Sequence, residues 1–307
     1  MPARSNGSAS APSITDGPEP IAVSVAVAVR DGEKTLATLL ASLARQTYCG
    51  PWEVIVADNG SRDRSREVAF AFADRLPNLR VIDASAVRGV AHARNVAIRA
   101  ARASRVVFAD ADDEVADDWL EHIAAALDRH PAVASRFDKT RLNPPEVAAT
   151  RELAQERGLS RHDYAPFLPH AGTSGFGVRV EVHDAIGGFD EHFLRLSDTD
   201  YSWRLQLAGF ELHYEPKAVL YVRFRDTPTE ALRQAFRYGR YNGHLYQRYR
   251  RHGMPRVPLA GDLKRLAILL AKAPFGTDAV KRQKRWRTIA NLAGIVLGRL
   301  EARLLRR

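Results

Sequence analysis

The chain has one cysteine and two methionines in 307 residues, and no apolar run long enough to span a bilayer. A single thiol, Cys49, excludes an internal disulfide, and no Cys/His cluster has the spacing of a zinc site. The longest early apolar run, Ile21 to Val29, is strand-length. The first twenty residues are rich in Ala, Ser, Pro and Gly and lack an apolar signal segment. They read as a disordered tail and not as a leader. These absences point to a cytoplasmic protein whose membrane contact, where it has any, is peripheral.

What is present is a globular composition, 45% hydrophobic, with a lopsided charge. Residues 223–307 hold 21 Lys and Arg against 5 Asp and Glu, a net +16. The remaining residues hold 25 against 31, a net −6. A basic tail on an acidic core suits an anionic membrane surface, an acidic partner or nucleic acid. The acidic core and the lack of a recognition motif argue against nucleic acid.

Ile21 to Val29 is β-branched and apolar on both faces, as in a strand buried on both sides. A helical pattern from Lys34 to Leu43 follows, then a strand from Trp52 to Ala57 and a helix-length segment from Asp63 to Arg75. A third strand, Leu79 to Asp83, and a helix from Ala91 to Ala103 lead to a fourth strand ending at Asp110. This alternation predicts a mostly parallel sheet flanked by helices. Ligands of such sheets bind beyond the carboxyl ends of the strands, where Arg30-Asp31, Asp58-Asn59 and Asp110-Ala111-Asp112 fall.

The fourth strand runs into four acids within five positions, Asp110 to Glu114. If extended geometry persists, Asp110 and Asp112 point the same way. Two such carboxylates make a poor core and a good seat for a hard divalent cation that binds a diphosphate. The plainer alternative is a helix cap, with Asp113 or Asp117 opening the helix around Trp119 to Leu127. Between Ser135 and Pro169 the pattern weakens, with a polar helix expected over Glu146 to Gly158 and a loop at Ala165 to Pro169.

Taken in order, several segments resemble the inverting glycosyltransferases of family 2, which have the GT-A fold. They are the first strand, Gln46-Thr47, Val56 to Ser61, Gly89 to Asn95, Asp110-Ala111-Asp112, Gly187 to Glu191, Asp198-Thr199-Asp200 and Arg204-Leu205. The resemblance covers Ile21 to Val222. It implies a GT-A domain over residues 21–225, with a nucleotide-binding half at 21–114 and an acceptor half at 115–225. Residues 226–307 would then form a basic helical extension.

The resemblance implies that Asp58 holds the nucleotide base, while Val29, Arg30 and Asp31 frame base and ribose. The family's usual Pro-x-Tyr-Asn-like segment is Ala28-Val29-Arg30-Asp31 here, which bears on base selectivity. Arg94 and Asn95 would open a helix facing the donor site, with Arg94 pairing with phosphate or with the Asp110 carboxylate. Asp110, Ala111 and Asp112 match the Asp-x-Asp motif, Asp112 binding Mg²⁺ or Mn²⁺ and Asp110 the ribose or a metal-bound water. Asp198 matches the general base, preceded by Ser197 instead of a glutamate. A helix cap is its plainer reading, and Asp200 reads as support for a neighbouring arginine. Gly175, Phe176 and Trp203 would line the acceptor side. A histidine common in relatives after the last strand is absent from Tyr221-Val222-Arg223, so Arg223 and Arg225 are the candidates to stand in for it.

The implied donor is a nucleoside diphosphate sugar, UDP first, and the acceptor a glycan or a lipid-linked glycan. The rivals are a degenerate fold serving as a membrane- or nucleic-acid-binding scaffold, and a nucleotidyltransferase. Arg30-Asp31-Gly32-Glu33 is a poor phosphate loop for the latter. In the tail, Phe236, Tyr238, Tyr241, Leu245, Tyr246 and Tyr249 fit helix packing or contact with a lipid-linked acceptor. Trp286, Ile289, Leu292, Val296, Leu300 and Leu304 recur at helical steps with a basic face, as in an amphipathic helix on an anionic membrane, or one docked on the protein's own core or on a twin subunit.

Overall fold

The computed structural model describes residues 20–76, 78–149, 151–162, 167–224, 227–273 and 278–304. The tail expected over 1–20 therefore lies outside the described residues, apart from Pro20. Eight strands form one sheet: β1 (Val23–Val29), β2 (Trp52–Asp58), β3 (Arg80–Asp83), β4 (Arg105–Asp110), β5 (Glu114–Val115), β6 (Ala132–Asp138), β7 (Phe176–Arg179) and β8 (Leu212–Tyr221). Their order is β3-β2-β1-β4-β7-β6-β8-β5. The first four pair in parallel, as the alternating pattern predicts. β7 then enters antiparallel between β4 and β6, which makes the sheet mixed.

The helices are α1 (Leu36–Leu43), α2 (Ser65–Phe70), α3 (Val90–Ala100), α4 (Trp119–Arg129), α5 (Pro145–Ala149), α6 (Val180–Ala185), α7 (Ser197–Leu207), α8 (Pro228–Tyr249), α9 (Leu259–Lys272) and α10 (Ala279–Leu304). Side chains of a strand alternate between faces, and both faces of β1 are used. Val23, Val25 and Val27 join Leu36, Leu40, Trp119 and Ile123 in one core. Ala26 joins Ala93, Phe108, Phe176 and Tyr201 in the other. A third cluster, of Trp203, Phe193, Leu245, Tyr246 and Tyr249, fixes α8 to α7.

Two local expectations are corrected. The polar helix over Glu146 to Gly158 is instead α5 followed by a 3-10 turn at Ala154–Glu156. There Gln155 is buried, donating to the Ser135 carbonyl and accepting from Gly172 N–H, so the segment braces β6. From Ser135 on, where the pattern weakens, the last four residues of β6 continue the sheet, and β8 runs over Leu212–Tyr221. Residues 216–218 of β8 bulge out of its pairing with β6, which accommodates Pro216.

Helix α10 docks on the protein's own core, one of the surfaces its apolar stripe allows. Ile289, Leu292, Ile295 and Val296 are buried against the protein's own chain. Glycines allow it: a Cβ on Gly294 would lie 2.1 Å from the Phe236 carbonyl oxygen, and one on Gly298 2.0 Å from that of Arg240. Most of the apolar stripe read as amphipathic is thus a helix–helix contact, although Trp286, Leu297 and Leu300 remain exposed.

Gly298→Ala is expected to force α8 and α10 apart, at a cost of about 1–3 kcal/mol. A thermal melt checks this, and an unchanged melting temperature would contradict the backbone approach described here.

Candidate active site

Loops after β1 and β2 are laced together at the carboxyl end of the sheet. The Val29 carbonyl accepts from Asn59 N–H at 2.8 Å. Arg30 Nη1 donates to the Asn59 carbonyl at 3.0 Å. Asp31 adopts a left-handed φ of 51° and accepts from Arg62 N–H at 2.8 Å, while its own N–H donates to Ser61 Oγ at 3.0 Å. Asp58 is buried, accepts from Ser61 N–H at 3.0 Å and lies 3.8 Å from Arg66. Asp58 thus closes a turn with Ser61 and sits at the rim paired with Val29. Asn59 Oδ1 accepts from Gly89 N–H at 2.9 Å, which sets the start of α3 against the same rim.

β4 stops at Asp110 and does not stay extended. Asp113 N–H donates to the Asp110 carbonyl at 3.1 Å, closing a turn through Ala111 and Asp112. The acids are gathered by this turn, not by strand alternation. Arg94, buried on α3, donates to Asp110 Oδ1 at 2.7 Å. Asp113 does not cap α4, whose N-cap position is Asp118. It is buried, and burial together with the Asp112 and Asp110 charges pushes its carboxyl well above the usual carboxylate range. Arg223 answers that charge twice: its backbone N–H donates to Asp113 at 3.0 Å and its Nε to the Asp112 carbonyl at 3.1 Å. Arg225 lies outside the described residues.

Crowded carboxylate oxygens with their charge only partly compensated fit a hard cation. The fit involves few side chains. Among the described residues, the only three His, Cys, Asp or Glu ligand atoms within 4.8 Å of one another belong to His130, Glu211 and His213. That group sits at the opposite end of β6 and β8.

Asp198 lies in the first turn of α7, beyond the N-cap Leu196, so it is not the cap. It is half-buried and accepts from Thr199 N–H at 2.8 Å. Burial pushes its carboxyl up, Asp110 adds to this, and Arg94 and His162 oppose it. Asp198 thus shares one electrostatic environment with Asp110 and Arg94. Asp200 is fully buried and serves the scaffold: it accepts from Arg204 Nε at 2.8 Å and from the Tyr249 hydroxyl at 2.6 Å.

On the acceptor side, Gly175 has a φ of +69° and a Cβ there would lie 2.7 Å from that of Ser135. Phe176 is 2% exposed and Trp203 fully buried, so neither offers a face for a sugar. Both belong to the core, Trp203 edge-on to Tyr249 with centroids 4.9 Å apart.

Two contributions escape the sequence reading. The Asn95 amide donates to the Phe189 carbonyl and to Glu191, each at 2.9 Å, clamping the Gly187 to Glu191 segment to α3. Tyr238, from α8, is held up by burial and by the nearby Asp198 and Asp110 charges. Its spacing of seven and eleven residues from Leu245 and Tyr249 was the available signal that it shares their inward face.

Residues 24–187 match the model of glycosyl transferase family 2. The chain is 25% identical over 199 residues to glycosyltransferase AglE of Haloferax volcanii, covering 62% of this chain and 64% of that protein. It is 31% identical over 211 residues to the pre-mycofactocin glycosyltransferase of Mycobacterium tuberculosis, covering 66% of this chain and 43% of that one. The chain thus spans less than two thirds of the length of these relatives. Among solved structures it resembles the mannosyltransferase PcManGT of Pyrobaculum calidifontis, a complex with GDP-Man and Mn²⁺, with a TM-score of 0.59, 20% identity, and 91% and 86% coverage. It also resembles residues 1–349 of S. aureus TarS with UDP-GlcNAc, with a TM-score of 0.53, 18% identity, and 92% of each chain covered. Among the described residues no helix is long and apolar enough to cross a membrane. With a family match over more than half its length and the mixed sheet of the GT-A fold, the chain belongs to glycosyl transferase family 2.

Proposed function

We propose that the protein transfers a sugar, with inversion, from a nucleoside diphosphate sugar to a hydroxyl of a glycan or lipid-linked glycan. The observation that carries this is the common setting of Asp198, Arg94 and Asp110, an acid raised by burial beside the end of β4. Asp198 takes the acceptor hydroxyl proton. The hydroxyl oxygen then bonds to the anomeric carbon from the face opposite the diphosphate, whose bond to that carbon breaks. One displacement inverts the centre.

Asp58 accepts from the base, with Val29 and Asp31 at base and ribose, and Arg94 holds Asp110 in place beside the donor. Asp112 would hold Mg²⁺ or Mn²⁺, which when bound neutralises charge on the departing diphosphate. The Arg223 guanidinium has no acceptor atom to offer an ion, so its part is to hold the acidic turn and supply positive charge. UDP is the first nucleotide to test, with dTDP and GDP next, since one solved neighbour carries UDP-GlcNAc and another GDP-Man.

Titration of UDP, dTDP and GDP with and without Mn²⁺ is expected to show one nucleotide binding in a metal-dependent way, lost in Asp112→Ala. No binding to any of them by the folded protein would sink the reading. Asp198→Asn is expected to lower kcat by roughly 10²- to 10⁴-fold while nucleotide affinity holds. The acid limb of the wild-type rate profile should lie above the ordinary aspartate value of about 4.

The same substitution carries an opposite sign for stability. A carboxyl raised on folding stabilises at acid pH, and that contribution is lost as pH rises through the folded value. Asp198→Asn is therefore expected to melt at or above the wild-type temperature at pH 7, with the gap closing in acid. A lower melting temperature at pH 7 would contradict the burial cost assigned to Asp198.

A further inference from the structure

Helix α9 is a poor fit to its own protein. Of its fourteen residues only Asp262 is fully buried. Leu259, Leu263, Leu266 and Leu270 recur at steps of four, three and four, so they share a face. Leu263 is 49% exposed and Leu270 47%. Nothing among the described residues covers this apolar surface.

The helix starts at a cavity of about 530 Å³ lined by Arg250, Arg251, Arg256 and Arg299, with Leu259 on its wall. Arg299 is committed: it pairs with Asp262, donates to the Val257 carbonyl at 2.6 Å and stacks on the Tyr246 ring. That pairing removes the only acid between residues 248 and 272, a stretch with seven Lys and Arg. Arg250, Arg251 and Arg256 are exposed and have no acidic partner among the described residues. An arginine-lined cavity opening next to exposed leucines matches a phosphate joined to an apolar tail.

We propose that α9 lies in the plane of an anionic membrane, its leucines among the acyl chains and lipid phosphates seated among Arg250, Arg251 and Arg256. This moves the membrane-facing element from α10, whose stripe is largely buried against α8, to the helix before it. Charge complementarity selects the occupant. A second copy of this chain would bring the same cations against each other, whereas an anionic bilayer supplies phosphates and apolar depth together.

The test is flotation of the full chain with phosphatidylcholine vesicles, with and without phosphatidylglycerol. Wild type is expected to float with the anionic vesicles and to be released by salt. Replacing Arg250, Arg251 and Arg256 with Gln is expected to weaken partitioning by roughly a hundredfold, from three lost interfacial cations. The pair Leu263→Asp and Leu270→Asp should abolish flotation without lowering the melting temperature, since both side chains are exposed. Nucleotide titration of the same variants reads the donor site separately, so loss of one does not stand for loss of the other.

Equal flotation of wild type and both variants would overturn the proposal. So would binding of inorganic phosphate to the arginine cavity with no affinity for vesicles, because the site would then serve a soluble anion. Dimerisation that is lost in the leucine variant, again without vesicle binding, would overturn it in favour of a second copy.

Discussion

Everything at the carboxyl rim depends on how much negative charge the end of β4 is made to carry. Asp110, Asp112 and Asp113 fall within one turn, and the innermost, Asp113, is buried with its carboxyl pushed far up. Like charges at this range in a poorly solvated place cannot all ionise without compensation. The fold supplies part of it from distant segments. Arg94 comes from α3, the Arg223 backbone N–H from the end of β8, and the Ser174 hydroxyl from the loop before β7. Four stretches of chain therefore converge because one turn is acidic. What they leave uncompensated is an attraction for a cation, and anything that binds the folded state alone stabilises it.

A second constraint reaches the same place from the C-terminal side. Helix α7 carries Asp198 on its first turn, and Asp200 anchors that turn through Arg204 and Tyr249. Arg248 bridges Asp190 and Asp200, at 2.6 and 3.3 Å. Burial, the Asp200 charge and the bond to it together push the Tyr249 hydroxyl up, so this proton stays in place at any ordinary pH. With Trp203 packed edge-on to Tyr249, the position of Asp198 is set by α8 as much as by the sheet. Helix α8 buries Tyr246 and Tyr249, and the basic extension leaves many of its cations outside. Net charge alone describes only that outer surface.

The first half of the sheet was legible because β1 and β2 are buried on both faces, and such strands read as unbroken apolar runs. The second half was not, for reasons visible at single residues. Ser135 is fully buried in β6 but polar, because its hydroxyl accepts from Trp119 Nε1 at 2.8 Å. Pro216 interrupts β8, and a bulge absorbs it. The expected shared face of Asp110 and Asp112 failed because the chain turns one residue after the strand ends, and periodicity carries no information about where a strand stops. The α8–α10 contact was hidden in glycines. Gly239, Gly243, Gly294 and Gly298 permit backbone approach between helices 50 residues and more apart in sequence, and no local pattern announces a partner.

Arg223 shows how far a departure from the family's residue can be reasoned. The sequence leaves open whether it stands in for a histidine at the cation seat. As a ligand it cannot, since a guanidinium has five donors and no lone pair to offer. Its Nε is spent on the Asp112 carbonyl, and its backbone N–H holds the Asp113 carboxylate. Both bonds fix the turn that presents the Asp112 carboxylate, and the charge lowers the local negative potential without occupying the position of an ion. With no third side-chain ligand converging among the described residues, an ion there would take most of its coordination from phosphate oxygens and water. That is the habit of Mg²⁺, which keeps waters and binds through one or two carboxylates plus substrate phosphates. An ion held that way would come with the nucleotide, while Arg223 holds the acidic turn through its own two hydrogen bonds.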